Sequence, residues 1–363
     1  MVGKSNFTQD KNFFILNSMD DWVRIVDTDG KTIFINDAFK KESQKSVELN
    51  NYINETSSLL VGSRNKATRN TTMIEEKLID DRYFSIKTSP IYNGDELLGI
   101  VEVYRDITRE SLMKIELFNT NRAMIDDVRF VKKIQSNILP KDKAYGKLKL
   151  KSKYLASDDL SGDFFDIIKI DEDKYALYIA DIMGHGVKAS IMTMFIKVTM
   201  GAILDKDPSY SPSEILLKLR DNFQALGMES SQYFTAWLGI FDQKDNSLTF
   251  SNAGHNCPPL FYSYENERVD YLLASGRMIS NIIEPEKYDE KKVYLNKGDR
   301  LLLFSDGAIE AKDEAGKEYG LERLRNIFEI HHDLDLTYKD IDKFTWGKQE
   351  DDISLVQVEY KEI

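Results

Sequence analysis

The sequence predicts an α+β protein in which two domains are joined by one long helix. Three observations predict this class. The chain has 363 residues, more than one domain usually holds. Strand-like and helix-like segments occur together on both sides of residues 107–139. That segment itself has no glycine or proline, and its apolar residues recur three and four positions apart, which is typical of an amphipathic helix.

The first hundred residues predict a small sheet with short helices. A short helix is expected near residues 13–19, followed by a hairpin of strands 22–26 and 32–35. A helix at 36–42 and strands at 81–88 and 97–104 complete the pattern, while residues 43–71 give only a weak signal.

Two segments of this region, VRIVDTDGKTIFINDAF and LLGIVEVYRDIT, resemble PAS domains, over about residues 10–108. The resemblance implies a sensor that takes a small, unidentified ligand, with a filled dimerisation module as the alternative. No histidine precedes His185 and the one cysteine is Cys257, so neither a His-ligated haem nor a flavin–cysteine photosensor is expected here.

The long helix predicts a parallel coiled coil, and with it a homodimer formed through the PAS domain and the helix. The alternative is that its apolar stripe packs on the domain that follows it in the same chain. The expected domains are therefore 1–108, a helical linker at 109–140, and 141–363.

Composition narrows the function. The net charge of −12 argues against a nucleic-acid partner, which needs a basic surface. A single cysteine precludes an intrachain disulfide, as in a reducing cytoplasm. The longest apolar stretch, 187–204, contains two lysines and is short for a membrane span, so a cytoplasmic protein without a membrane segment is expected.

Four acidic positions recur beside apolar strands in the second part of the chain. An apolar strand at 175–180 ends at Asp181, and a glycine turn then leads to a helix starting near Val187. An aspartate in this place is more often a helix cap than a ligand. However, Asp163, Asp306 and the pair Asp351-Asp352 stand in the same context, and Mg²⁺-like cations bind carboxylates. Four such positions predict a metal site.

Four segments carry a second resemblance: SGDFFDIIKIDEDKYALYIADIMGHG, SNAGHNCPPLFY, LLLFSDGAIEAKDEAGKEYG and QEDDISLVQVEY. In this order they resemble the SpoIIE/RsbU-type phosphatases of the PPM superfamily, over about residues 134–360. The resemblance implies an αββα sandwich and a metal-dependent protein serine/threonine phosphatase regulated by the PAS domain. Its expected substrate is a phosphorylated STAS-domain (anti-anti-sigma) protein.

The resemblance also implies a role for each residue. Two Mn²⁺ or Mg²⁺ ions activate a hydroxide that attacks phosphorus, so no covalent intermediate is needed. Asp181 bridges both ions and the carbonyl of Ile182 adds a ligand. Asp163 serves the first ion, and Asp306 and Asp351 the second, with Asp352 as the alternative to Asp351. Asp163, Asp181 and Asp306 are the expected catalytic residues, and Asp166 is expected just behind them.

Two histidines lie in glycine-flanked turns, His185 and His255. Each either protonates the leaving oxygen or, as we favour, holds its turn by hydrogen bonds. Cys257 is not a nucleophile in this mechanism. The competing hypothesis for the whole chain is a catalytically silent scaffold that binds a STAS-type partner.

Overall fold

The computed structural model describes residues 12–62, 72–156, 160–184, 186–229, 231–283, 287–348 and 351–361. The chain forms two compact units, Met1–Ala123 and Met124–Ile363. The division falls inside a 31-residue helix, α4 (Thr108–Ile138), which occupies the predicted linker.

The first unit is an antiparallel sheet of five strands in the order β2-β1-β5-β4-β3. Helix α3 was not predicted, because residues 43–71 give only a weak signal, and strand β3, which follows that segment, was not predicted either. Residues 63–71 lie outside the described part. The elements are α1 (Asn12–Asn17), β1 (Trp22–Asp27), β2 (Thr32–Ile35), α2 (Asp37–Ser43), α3 (Val47–Gly62), β3 (Met73–Ile79), β4 (Arg82–Asn93) and β5 (Glu96–Asp106).

Aromatic side chains fill the core of this unit. Trp22 lies opposite Tyr104 across β1 and β5, and Phe39 of α2 packs edge-on against both rings. Two residues further along the same strands, the buried side chains of Arg24 and Glu102 form an ion pair of 3.1 Å. Because Arg24 also binds Thr32 and Glu102 accepts a bond from Tyr104, the buried charges are satisfied locally.

Helix α4 changes character along its length. From Leu112 to Phe130 its large apolar side chains are exposed. Near the end Gln135 is buried and Ile138 packs on the core of the second unit. The last turns therefore follow the alternative prediction of packing on the catalytic domain, while the coiled coil stays a prediction for the exposed part.

The second unit contains two six-stranded sheets, in the orders β15-β11-β10-β9-β8, with β14 beside β10, and β13-β12-β16-β17-β7-β6. The strands are β6 (Ala144–Tyr145), β7 (Leu148–Leu155), β8 (Asp163–Lys169), β9 (Lys174–Ile182), β10 (Tyr233–Asp242), β11 (Ser247–Ala253), β12 (Leu260–Ser263), β13 (Arg268–Tyr271), β14 (Ile279–Ser280), β15 (Glu290–Tyr294), β16 (Arg300–Phe304) and β17 (Ile353–Tyr360). The helices are α5 (Val187–Lys206), α6 (Pro212–Ala225), α7 (Gly307–Glu310), α8 (Leu321–His331) and α9 (Leu334–Phe344).

Three apolar cores define four layers. The central core joins the two sheets, with Ile179 and Trp237 from one and Leu303 and Val356 from the other. A second core lies between the first sheet and helices α5 and α6, and a third between the second sheet and helices α8 and α9. The unit is thus a helix–sheet–sheet–helix sandwich, as expected.

The helix after the glycine turn begins at Val187 as predicted, but the strand before it is longer than predicted. Strand β9 continues through Asp181 to Ile182, and the N-cap of α5 is Gly186. Asp181 is therefore a strand residue and does not cap the helix. Among the described helices, α5 alone is long and apolar enough to cross a membrane, yet it packs on the first sheet beside α6.

Candidate metal centre

The first sheet contributes two of the candidate ligands. Asp163 is the first residue of β8, and Asp181 is the penultimate residue of β9. The antiparallel register places these two residues directly opposite each other. Directly opposed side chains lie about 5 Å apart at their Cβ atoms. The pairing of the two strands is therefore enough to bring together carboxylates that are 18 positions apart in the sequence.

The second sheet contributes the others. Asp306 follows β16 and is the N-cap of α7, but its side chain makes no capping hydrogen bond. Asp351 and Asp352 precede β17, which pairs with β16. A Cβ on Gly307 would lie 2.1 Å from the carbonyl oxygen of Asp352. Only glycine at this position permits the two chain segments to approach so closely.

Hydrogen bonds join the two groups across the sheets. The hydroxyl of Ser354 donates to Oδ2 of Asp163 at 2.8 Å, and the amide of Gly162 donates to Oδ2 of Asp352 at 2.9 Å. These bonds connect the start of β8 with the start of β17. The site is consequently assembled from residues of both sheets at one end of the sandwich.

Burial and mutual repulsion raise the pKa values of Asp181 and Asp163. Burial, then the charges of Asp306, Asp351, Asp352 and Glu310, raise the pKa of Asp181 to about 7. Burial and then the charge of Asp181 raise the pKa of Asp163 well above its usual range. Since like charges disfavour each other's ionised form, all four predicted positions share one electrostatic neighbourhood. A divalent cation would relieve this repulsion.

The donor set fits Mn²⁺ or Mg²⁺, because every candidate ligand is an oxygen. A Cβ on Gly162 would lie 2.7 Å from the carbonyl oxygen of Ile182 and 2.9 Å from that of Gly184, so this glycine makes room for two further oxygens. Within the described ranges, however, no three Asp, Glu, His or Cys side chains already stand in a metal-holding arrangement. Asp163 and Asp352 instead turn an oxygen to Ser354 and Gly162.

The two neighbours Asp351 and Asp352 differ in their surroundings. Asp352 is buried and uses its side chain for Gly162, its carbonyl for Ser305 and its amide for Asp351. Asp351 is exposed. The more accessible carboxylate is thus that of Asp351, which agrees with the preference drawn from the resemblance.

His255 is built into the fold. It is buried, with Nε2 3.1 Å from the carbonyl oxygen of Phe304 and Nδ1 3.2 Å from the hydroxyl of Thr235. Burial lowers the pKa of His255 to about 4, so its ring is neutral near pH 7. Thr235 lies opposite Asp181, and Phe304 ends β16. His255 thereby braces the strand ends of the two sheets, which supports the turn-holding role over proton donation.

His185 and Cys257 are the other two positions that the sequence singled out. His185 lies outside the described residues. The thiol of Cys257 is buried, and burial together with the nearby Asp306 raises its pKa, which makes it a poor nucleophile.

Several polar contacts at the site could not be read from the sequence. The amide group of Gln135 in α4 donates to the carbonyl of Ser161 at 2.7 Å and accepts from its amide at 3.3 Å. The hydroxyl of Ser161 accepts from the amide of Asp163. On the helix side, Lys197 of α5 pairs with the buried carboxylate of Asp166 at 2.6 Å. Asp166 thus binds helix α5, and its role just behind the metal ligands stays a prediction.

The comparison with family models decides the assignment. The model described as Stage II sporulation protein E (SpoIIE) matches residues 171–361, more than half of the chain. The chain belongs to the SpoIIE family. It is therefore a protein serine/threonine phosphatase of the PPM superfamily, and its activity depends on Mn²⁺ or Mg²⁺. Asp163 lies just before the matched residues, so its assignment depends on the register with Asp181.

Individual proteins agree with the family. The chain is 24% identical to the phosphoserine phosphatase RsbU of Bacillus subtilis over 71% of this chain and 74% of RsbU. It is 27% identical to the phosphoserine phosphatase RsbP of the same organism, over 53% of this chain but only 46% of RsbP. The SiaA-PP2C domain of Pseudomonas aeruginosa shares the fold, with a TM-score of 0.57, 22% identity, and coverage of 68% of this chain and 98% of that domain.

Proposed function

We propose that this phosphatase binds two divalent cations through Asp163, Asp181, the carbonyl of Ile182, Asp306 and Asp351. Two observations support this proposal: Asp163 lies opposite Asp181 in the sheet, and burial together with the charges of Asp306 and Asp351 raises the pKa of Asp181 to about 7. The charge of Asp181 interacts with Asp163, from the first sheet, and with Asp306, from the second sheet. This favours the bridging role for Asp181.

Two bound divalent ions would activate a water molecule as the nucleophile and would neutralise negative charge on the phosphoryl group. The protein's own residues fix the geometry. Ser354 orients the carboxylate of Asp163, and Asp352 holds the backbone of Gly162. Cys257 is buried with a raised pKa, and His255 is buried and neutral with both ring nitrogens near polar partners, so neither side chain is suited to form a phosphoenzyme.

The substrate that we propose is phosphoserine or phosphothreonine on a small STAS-domain protein of the anti-anti-sigma type. The resemblance to the SpoIIE/RsbU-type phosphatases supports this, and both RsbU and RsbP are named phosphoserine phosphatases. We also place the protein in the cytoplasm, where such partners are found.

We further propose that the first unit is a PAS sensor that regulates the phosphatase through α4. A five-stranded antiparallel sheet with two helices between β2 and β3 supports this assignment. The contact of Gln135 with Ser161 supports the route, because it connects α4 to the segment that leads into Asp163. A shift of α4 would then change metal occupancy, and deletion of residues 1–108 should alter activity and metal affinity. Unchanged values of both would refute this regulation.

The decisive experiment is Mn²⁺-dependent hydrolysis of p-nitrophenyl phosphate by the full chain and by Asp181→Asn. The variant keeps the size of the side chain but removes the charge that would bind both ions, so we expect a loss of activity of at least a hundredfold.

Asp270→Asn on the edge strand β13 is the control and should behave as the wild type. A wild-type chain that stays inactive with Mn²⁺ and Mg²⁺ on both this compound and a phosphoserine peptide would favour the silent scaffold.

A further inference from the structure

An apolar groove opens on the surface of the second unit, beside the metal centre. One wall is the first two turns of α5, with Lys188, Ile191 and Phe195. The other wall is the segment after α6, with Leu226 and Met228 among its residues, and the cavity volume is about 590 Å³. Glu229 and Gln232 complete the lining.

Both walls of the groove are close to the metal centre along the chain. Helix α5 starts at Val187, only six residues after Asp181. The opposite wall ends at Gln232, next to β10, whose Thr235 lies opposite Asp181. The amide of Met183 donates to the carbonyl of Tyr233 at 3.2 Å, so the segment before α5 is bonded to the residue that follows Gln232.

The surface here is unusually apolar for a solvated helix. Ile191 is 55% exposed, Leu226 47% and Met228 36%. The exposed Ile282 lies nearby, because the side chain of Asn281 donates to the carbonyl of Met228. Contiguous exposed apolar residues of this kind mark interaction sites more often than plain surface. Methionine is common on such surfaces because its flexible side chain adapts to a partner.

The surface area that a protein substrate covers indicates what binds in the groove. A specific interface covers about 800 Å² on each partner, a disc of roughly 16 Å radius. The groove residues of α5 extend only about 10 Å along the helix from Lys188, at 1.5 Å per residue. Gln232 of the groove is three residues before Thr235, which lies opposite Asp181 in the sheet. A folded protein whose phosphoserine enters the centre therefore reaches the near end of the groove.

The charges at the centre explain why such a contact is needed. The charged neighbours that raise the pKa of Asp181 are all acidic, and they repel a phosphorylated substrate until cations are bound. Cations neutralise this repulsion equally for any phosphate ester, so they give no preference for one protein. Selective affinity has to come from the surface around the centre.

We propose that this groove is the docking site for the folded phosphoprotein substrate, which inserts apolar side chains from beside its phosphoserine. The proposal rests on the proposed function and adds the surface that selects the substrate. A small phosphate ester does not reach the groove, so docking should affect only protein substrates.

The test compares two substrates of the full-length chain: a serine-phosphorylated STAS-domain protein and p-nitrophenyl phosphate. Ile191→Asp and Met228→Asp should each lower kcat/KM for the phosphoprotein at least tenfold, mainly through KM. Activity on p-nitrophenyl phosphate should stay within twofold of the wild type. Val198→Asp is the matched control, since Val198 is 72% exposed on the same helix but outside the groove. Ile191→Leu should restore the wild-type KM.

Three results would overturn the proposal. The Asp variants keep full activity on the phosphoprotein, they lose activity on both substrates together, or sedimentation velocity shows that they dissociate a dimer, which would assign the groove to a second copy of this chain. A wild-type chain that hydrolyses p-nitrophenyl phosphate but not the phosphoprotein would instead refute the proposed STAS substrate, and the groove proposal with it.

Discussion

At the scale of single residues, the proposed metal centre depends on glycines as well as on aspartates. Gly162 lies where the carbonyls of Ile182 and Gly184 approach β8, and Gly307 lies where Asp352 approaches α7. The carboxylates can move onto a cation by side-chain rotation, but these backbone approaches cannot be made with a larger residue. A close approach of two chain segments is therefore part of the ligand geometry.

Gly162→Ala tests this claim. The added methyl group would lie 2.7 Å from the carbonyl oxygen of Ile182, so β8 and the turn after β9 must separate. We expect the Mn²⁺ concentration for half-maximal hydrolysis of p-nitrophenyl phosphate to rise at least tenfold.

Gly201→Ala is the matched control, because a Cβ at Gly201 in α5 meets nothing within 4 Å. Alanine is the better helix former, so this control should stabilise the fold by up to about 1 kcal/mol without changing metal activation. Normal Mn²⁺ activation of Gly162→Ala would contradict the role of the close approach.

At the scale of elements, α4 combines two surfaces in one helix. Its last turns are held by Gln135 and Ile138, whereas the region from Leu112 to Phe130 exposes large apolar side chains to solvent. An isolated helix with such a surface is a poor structure in water and gains stability from a partner helix. The exposed part of α4 is thus the natural site for the predicted homodimer.

Replacement of Phe118 and Ile125 by glutamate together should convert the dimer into a monomer. The two residues are one heptad apart and both exposed, so they fall on the same side of a coiled coil. Sedimentation equilibrium of the full chain measures the change, with Glu116→Lys on the same helix as the control. A dimer that survives the double substitution, or a monomeric wild type, would rule out this interface.

The sequence predicted elements where a local pattern is strong. The apolar period of α4 and the glycine turn before α5 were both readable, and the two helices lie where these patterns predicted them. Helix α3 and the short strands β12 to β15 were missed, because they are short or polar and gain their stability from neighbours. The bond from Ser354 to Asp163 spans 191 positions, and no local pattern can predict such a contact.

At the scale of the whole molecule, metal binding and protonation compete for the same carboxylates. Because the pKa of Asp181 is raised to about 7, the metal-free folded chain binds protons more tightly than the unfolded chain. The contribution of Asp181 to the stability of the metal-free protein is therefore largest below pH 4 and is lost as the pH rises through 7. Bound cations reverse this trend, because they require the deprotonated form.

The stabilisation by Mn²⁺ should accordingly increase with pH. We expect the difference in Tm between samples with Mn²⁺ and with EDTA to be small at pH 5, to grow through pH 7, and to level off above it. His255 titrates in the opposite sense, with its folded pKa lowered to about 4, but it affects both samples alike. A difference in Tm that is constant from pH 5 to pH 8 would contradict the assignment of Asp181 as a ligand.

The last strand of the second sheet has a consequence for how the enzyme is made. Strand β17 lies in the interior of its sheet, between β16 and β7, and Asp351 and Asp352 come just before it. Before this strand has been translated, β7 and β16 lack the strand that lies between them, and Asp351 and Asp352 cannot be held beside the other aspartates. A nascent chain therefore lacks the bond from Ser354 to Asp163 until this strand has been synthesised, and the proposed metal centre cannot be complete before that point.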